Sequence, residues 1–403
     1  MRLALPSGPA HLTYCTNVHS GESWAHTFAA LQRHLPAIRR RLSPDAPMGV
    51  GLRLSSVASE ALRDEGALDA LRDFLVRESL YVFTINGFPY GPFHGERVKE
   101  QVYEPDWRTP ERLSYTDRLA ELLAALLPDE PELFGSISTV PGAFGAVAAA
   151  PGAMEAIASA MLRQAARLAA LEDRTGRRIV LALEPEPMCL LQTTAEAVAF
   201  FEAHLFGTEA QARFVALSGR GAAVAERLLR RHLGLCLDVC HAAVAFERPG
   251  DSLELLRGAG IAVTKLQLSS ALAIPRMDHA AAAMLRRFDD GIYLHQVVER
   301  GPRGLVRFLD LPQALAAWRD DPAGEREWRV HFHVPVFHAA AGRFATTQPM
   351  LLDMLARQRG QGISAHLEVE TYTWDVLPQE LRSADLDGDI AREVAWVRDR
   401  LLQ

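Results

Sequence analysis

Short, almost continuously apolar runs alternate with longer segments of helical periodicity along nearly the whole chain. The runs lie at 12–16, 48–54, 81–85, 133–138, 179–184, 233–238, 263–269, 329–336 and 366–370. A strand with one wet face alternates apolar and polar residues, whereas Ile179-Val-Leu-Ala-Leu183 does not. Such a run predicts a strand buried on both faces. Buried strands separated by helices imply repeated βα units and a parallel sheet. Nine runs are one more than a closed eight-stranded barrel needs, and the sequence leaves open which one stands outside.

The helical segments carry their own signals. Residues 24–41 place Phe28, Leu31, Leu35 and Ile38 three or four apart, one buried stripe. Residues 153–171 are rich in Ala, Leu and Met, and 347–358 open with Thr347 before Pro349. Residues 193–205 open with Thr193-Thr-Ala-Glu196, a capping box. Two connections are too long to be simple links. The first, 86–112, contains Gly87-Phe-Pro-Tyr-Gly-Pro-Phe-His94 and would lie over the mouth of a barrel. The second, 271–311, contains Tyr293-Leu-His-Gln-Val-Val298 and a hairpin signal, Gly301-Pro-Arg-Gly304. The expected organisation is one α/β domain over 1–403. It is a TIM (β/α)8 barrel with insertions near 86–112 and 271–328 and one extra strand or hairpin.

Composition narrows the function classes. The 403 residues are 49% hydrophobic and 23% charged, with a formal net charge of -7. That balance offers no basic footprint, so neither nucleic acid nor an anionic membrane is an expected partner. The amino terminus has no signal-peptide pattern. The best candidate span, 143–160, is broken by Pro151 and Glu155. A cytoplasmic protein with reduced thiols is expected for the four scattered cysteines. Cys236 and Cys240 flank Asp238, but no second cysteine pair completes a zinc site. A homodimer is compatible with the sequence and not specified by it.

The candidate chemistry gathers at the carboxyl ends of the apolar runs, the end that faces the active site in a barrel. Glu184 ends one run and is followed by Pro185, Glu186 and Pro187. Asp238 ends another, with His241 just beyond, and Glu368 and Glu370 end the last. His331 and His333 alternate with Phe332 and Val334, which puts both imidazoles on one face of a strand. Carboxylates and imidazole at one mouth would suit a divalent metal. The plainer alternatives are a helix cap for Asp238, a solvated His241, and hydrogen-bonding roles for the paired histidines and Gln267. Asp385-Leu-Asp-Gly-Asp389 has its glycine too early for a calcium loop and suits a helix start at Asp389 better.

These motifs resemble a known group. Leu183-Glu-Pro-Glu-Pro187, Leu237-Asp-Val-Cys-His241 and Leu367-Glu-Val-Glu-Thr-Tyr-Thr-Trp374 are similar to the xylose-isomerase-like TIM-barrel superfamily of sugar (phosphate) isomerases and epimerases. More narrowly, Leu12-Thr-Tyr-Cys-Thr-Asn-Val-His19, Phe83-Thr-Ile-Asn-Gly-Phe-Pro89, Tyr293-Leu-His-Gln296 and His331-Phe-His-Val-Pro335 resemble the EboE "metabolite traffic" proteins of the ebo cluster. The resemblance implies one divalent ion (Mn, Mg, Co or Zn) held by Glu184, Asp238, a third ligand and Glu370, or Glu368 in its place. The seventh run offers Lys265 and Gln267 where the superfamily has a histidine, so His333, His331 or Gln267 would complete the set. His241 corresponds to a substrate-positioning histidine.

The implied reaction is isomerisation or epimerisation of a sugar, sugar phosphate or cyclitol-like metabolite. A chelated carbonyl and hydroxyl would acidify the C–H between them, and Glu184 and Glu370 would move the proton through an enediolate. Tyr90, His94, Trp107 and Arg300 are loop candidates for gripping substrate, Arg300 through a phosphate. The alternatives are a metal-dependent hydrolase or endonuclease-like enzyme on the same barrel, and a non-catalytic metabolite-binding barrel.

Overall fold

The computed structural model describes residues 1–94, 97–130, 132–145, 150–322 and 324–403. Residues 95–96 of the first long connection, 146–149 of the stretch 143–160 and 323 of the second insertion lie outside the described residues. Most apolar runs become strands of one sheet, preceded by a strand that the apolar pattern did not predict. In chain order these are β1 (Arg2–Leu5), β2 (Gly8–Tyr14), β3 (Met48–Arg53), β4 (Leu80–Asn86), β5 (Gly135–Thr139), β6 (Ile179–Leu183), β7 (Leu233–Asp238) and β8 (Val263–Leu268).

The insertion that follows supplies β9 (Leu272–Ile274), β10 (Val297–Gly301), β11 (Gly304–Phe308), β12 (Glu327–Val330), β13 (Ala340–Ala341) and β14 (Phe344–Thr346), and the chain then returns to the barrel as β15 (His366–Val369). The nine-stranded sheet runs β1-β2-β15-β8-β7-β6-β5-β4-β3. β1 is antiparallel to β2, and the other neighbours are parallel. β2 and β3 meet through the single parallel bridge Cys15–Gly51. Thr13 reinforces the seam: its hydroxyl donates to the Gly49 carbonyl at 2.9 Å and accepts from the Gly51 amide at 3.0 Å. The eight parallel strands β2–β8 and β15 thus form a nearly closed α/β barrel, the architecture expected from the sequence.

The surplus run is 329–336. Its first residues belong to β12, in the six-stranded antiparallel sheet β11-β10-β12-β9-β14-β13 of the insertion. The expectation of a strand through His333 is corrected: the ladder stops at Val330 and the chain turns at once, the Phe332 amide bonding the Val330 carbonyl. The Val334 amide then bonds Ser270, just past β8, so the segment bends back over the barrel mouth.

Residues 193–205 behave as their capping box predicts, with Thr193 accepting from Glu196, although the last turn, Phe201–Leu205, widens to a π-helix. The helix near the C-terminus starts at Leu386, capped by Asp385, three residues before the expected Asp389.

The barrel interior is polar below the mouth. Lys265 and Glu368 are fully buried and paired at 2.5 Å. Burial alone would lower the lysine's proton affinity, and the adjacent Glu368 carboxylate more than offsets it. Glu368 fits because position 51 is glycine: a Cβ there would lie 1.9 Å from its Oε1.

Candidate metal and proton-transfer site

The site sits where β6, β7 and β15 end. Glu184 follows β6, Asp238 is the last residue of β7, and Glu370 follows β15. All three are buried, and one carboxylate oxygen from each lies within 4.8 Å of the others. Burial pushes the Glu184 carboxyl well above its usual range, and the nearby Glu370 and Asp238 charges push it further. Burial, then Asp238 and Glu368, raises Glu370 to about 8. Three such groups repel one another unless a cation or a proton lies among them.

Their hydrogen bonds assign different roles. Glu370 Oε1 accepts from Asn17 Nδ2 at 2.8 Å and Asn86 Nδ2 at 2.9 Å, and its Oε2 accepts from Gln267 Nε2. The carboxylate is therefore held in one orientation. Asp238 Oδ1 caps the following helix by accepting from the His241 amide at 2.9 Å, and also accepts from Ser269 Oγ at 2.8 Å. Asp238 Oδ2 and Glu184 Oε2 are buried without a hydrogen-bond partner. Orphaned oxygens on carboxylates gathered this closely fit a divalent cation. Asp238 thus combines the plain reading and the functional one, since one oxygen caps a helix and the other is free.

Gln267 is engaged elsewhere. Its amide nitrogen serves Glu370, and its carbonyl oxygen accepts from Cys236 Sγ at 2.6 Å. Glu368, two residues before Glu370, shares its face but lies one layer deeper, with Lys265. Glu186 stands farther out, accepting from Tyr103 Oη at 2.6 Å and from Gln296 Nε2 at 3.3 Å.

Three buried imidazoles complete the mouth. His241 Nε2 is 3.1 Å from His331 Nε2, which is 3.3 Å from His333 Nε2. Burial holds His331 well below the usual histidine range and His333 near 4, so both are neutral at pH 7. The Asp238, His241 and His333 ligand atoms also lie within 4.8 Å of one another. The carboxylates and the imidazoles are therefore two overlapping clusters that share Asp238.

The pocket above is walled by Phe88, Phe93, Tyr103, Tyr293 and Tyr372. Lys99 is on its lining, with Nζ 2.5 Å from Asp310. Lys99 was not singled out from the sequence, and the four loop candidates that were stand away from that lining. Trp107 is buried and donates to Thr139 Oγ1 at 3.1 Å, and Tyr90 packs edge-on against Tyr115. Arg300 is half exposed on β10 and paired with Glu327. His94 packs against Phe93, with both ring nitrogens buried and without a partner. Asn17, Asn86, Tyr103 and Gln296 were not singled out as site residues. Asn86 ends an apolar run, as Glu184 does, and that position was the available signal.

No family model and no curated protein sequence matches the chain. Solved structures do. A xylose isomerase-like TIM barrel protein from Mycobacterium smegmatis, in complex with magnesium, is 10% identical over 97% of this chain and 96% of its own, with a TM-score of 0.51. The IolI protein with a bound zinc atom is 14% identical over 96% and 98%, with a TM-score of 0.48. A probable 3-DHS dehydratase, AsbF from Bacillus anthracis, is 10% identical over 96% and 97%, with a TM-score of 0.43. Identity this low speaks only to fold, and the fold of this chain is a TIM barrel like that of the Mycobacterium smegmatis protein.

Proposed function

We propose that the protein is a divalent-metal-dependent isomerase or epimerase that moves a proton on a sugar- or cyclitol-like metabolite. One observation carries the reading: Glu184, Asp238 and Glu370 converge from three strand ends, with Glu184 Oε2 and Asp238 Oδ2 buried and unpaired. These residues would hold the ion, with His333 beside them. When bound, a divalent ion would polarise a carbonyl and the hydroxyl next to it and acidify the C–H between them. Glu184, whose carboxylate no hydrogen bond fixes, would take that proton. Glu370, fixed by Asn17, Asn86 and Gln267, is its partner in returning it.

The pocket favours an unphosphorylated substrate. Among the described lining residues the only lysine or arginine is Lys99, and it is engaged by Asp310. Aromatic walls suit the C–H faces of a ring. The EboE-like motifs favour a cyclitol-like or sugar-derived metabolite in a biosynthetic or metabolite-traffic pathway. The three histidines favour a second reading, a metal-dependent hydrolase on the same barrel.

The test is exchange in deuterated water, with metal-loaded protein and a panel of ketoses and cyclitols. Deuterium should enter one substrate at a single carbon, and Glu184→Gln should slow it by about 10²-fold or more. Hydrolysis of an ester or phosphodiester without exchange would transfer the assignment to the second reading.

A further inference from the structure

Most side-chain donors on the pocket wall are already occupied within the protein. Asn17 and Asn86 donate to Glu370, Tyr103 donates to Glu186, Tyr293 Oη donates to the Phe93 carbonyl at 2.9 Å, and Lys99 is engaged by Asp310. The imidazoles are occupied from behind as well. His241 Nδ1 faces the Pro185 carbonyl at 3.0 Å, His333 Nδ1 the Glu370 carbonyl at 2.8 Å, and His331 Nδ1 the Gln296 side-chain carbonyl at 2.7 Å. A carbonyl oxygen only accepts, so each Nδ1 carries the ring proton and each Nε2 keeps a lone pair. The oxygens left over accept too. Asn17 Oδ1 and Glu184 Oε2 are buried without a partner, and among the described residues no donor reaches Glu186 Oε2.

The charges are lopsided in the same sense. Glu184, Glu186 and Glu370 line the pocket, and Asp238 is buried behind them. The nearby cations are taken, Lys99 by Asp310 and Lys265 by Glu368. A divalent ion held by Glu184, Asp238 and Glu370 would leave Glu186 outside its ligand set. Glu186 is 6% exposed, and only its Oε1 is served, by Tyr103 Oη at 2.6 Å and Gln296 Nε2 at 3.3 Å. The imidazole beside it, with His331 Nδ1 at 3.6 Å, is neutral. A buried carboxylate with no counter-charge and one unserved oxygen is costly unless a ligand supplies both. The aromatic wall adds π faces, which attract a ligand cation.

We infer that the substrate carries a protonated amine, which donates to Glu186 Oε2 at the outer end of the pocket. The substrate class is then an amino sugar or aminocyclitol, not a neutral polyol. An ammonium supplies both N–H donors and positive charge, whereas a hydroxyl supplies only a donor and an ionised carboxylate or phosphate supplies neither. Tyr103 and Gln296 are positioning residues in this scheme, because their bonds to Oε1 fix the carboxylate that receives the amine. The inference rests on the proposed function in taking this pocket as the substrate site.

The test is calorimetric titration of the metal-loaded full chain near neutral pH with matched sets: glucosamine, glucose and N-acetylglucosamine, then scyllo-inosamine, scyllo-inositol and N-acetyl-scyllo-inosamine. In at least one set the amine should bind about tenfold or more tighter than both neutral counterparts, a comparison that needs no variant. Glu186→Gln, checked by circular dichroism and metal analysis, should abolish the preference and keep its ion. Tyr103→Phe, which removes one bond orienting Glu186, should weaken the preference in the same direction. Equal binding within both sets, no binding by either amine, an undiminished preference in Glu186→Gln, or loss of the ion from that variant overturns the inference. An amine preference without deuterium exchange upholds it and counts against the isomerase reading, and exchange on neutral sugars without an amine preference does the reverse.

Discussion

Glu393 offers a measurable test of how the mouth is held together. It lies on the last helix, 2% exposed, and reaches two segments that position the site. Its Oε1 accepts from the Val336 amide at 2.9 Å, just past the paired histidines, and from Thr371 Oγ1 at 2.8 Å, next to Glu370. Its Oε2 accepts from Trp374 Nε1 at 3.2 Å. Burial raises its pKa from 4.5 to about 7, although these three bonds pull it down. The folded protein therefore keeps this proton at a pH where the unfolded chain has released it. The stabilisation is complete below pH 4.5 and is lost as the pH rises through about 7. The interval is worth about 3 kcal/mol, at about 1.4 kcal/mol per tenfold change in proton affinity. Glu393→Gln keeps the size and one acceptor and does not titrate. Urea unfolding of both proteins at pH 5 and pH 8 should show the variant gaining about 3 kcal/mol relative to wild type at the higher pH. Parallel pH dependences would refute the assignment of a buried, proton-holding Glu393.

Other outcomes follow from contacts around the site. Lys265→Met strands Glu368 without its cation and should cost about 3–5 kcal/mol in chemical denaturation, much of it recovered in Lys265→Met/Glu368→Leu. Gly51→Ala drives a Cβ into Glu368 Oε1 and should lower stability by about 1–3 kcal/mol, less in a Glu368→Ala background. Gln267→Leu frees both Glu370 Oε2 and Cys236 Sγ, and competition against a chelating indicator should show metal affinity about 10–100-fold weaker. Chelation should lower the Tm, since an ion at about a thousand times its Kd stabilises the fold by about 4 kcal/mol.

Much of the barrel was legible because burial on both faces leaves a plain mark: β6, β7 and β8 coincide with their apolar runs to within a residue. Glu184, Asp238 and Glu370 were legible for the same reason, each a charge abruptly ending such a run. Residues 329–336 misled because the alternation continues past β12 while the backbone does not. Local pattern records which face a side chain would take, whereas the bend at His331 is imposed by long-range bonds from Gln296 and Ser270. The choice between Glu368 and Glu370 was illegible in principle, since residues two apart share a face and only depth in the barrel separates them. Asn17, Asn86 and Gln296 were hidden because a neutral amide in an apolar setting looks alike whether it orients a catalytic group or a loop.

The carboxylates belong to the barrel, whereas two of the three imidazoles belong to the insertion between β8 and β15. Neither part alone would carry a complete ligand set for the proposed ion. Such a centre would act as a coincidence detector for assembly: a chain with a finished barrel and an undocked insertion has carboxylates without two of the three histidines. An ion spanning both would bolt the insertion over the mouth, so competence for chemistry and correct docking become one event.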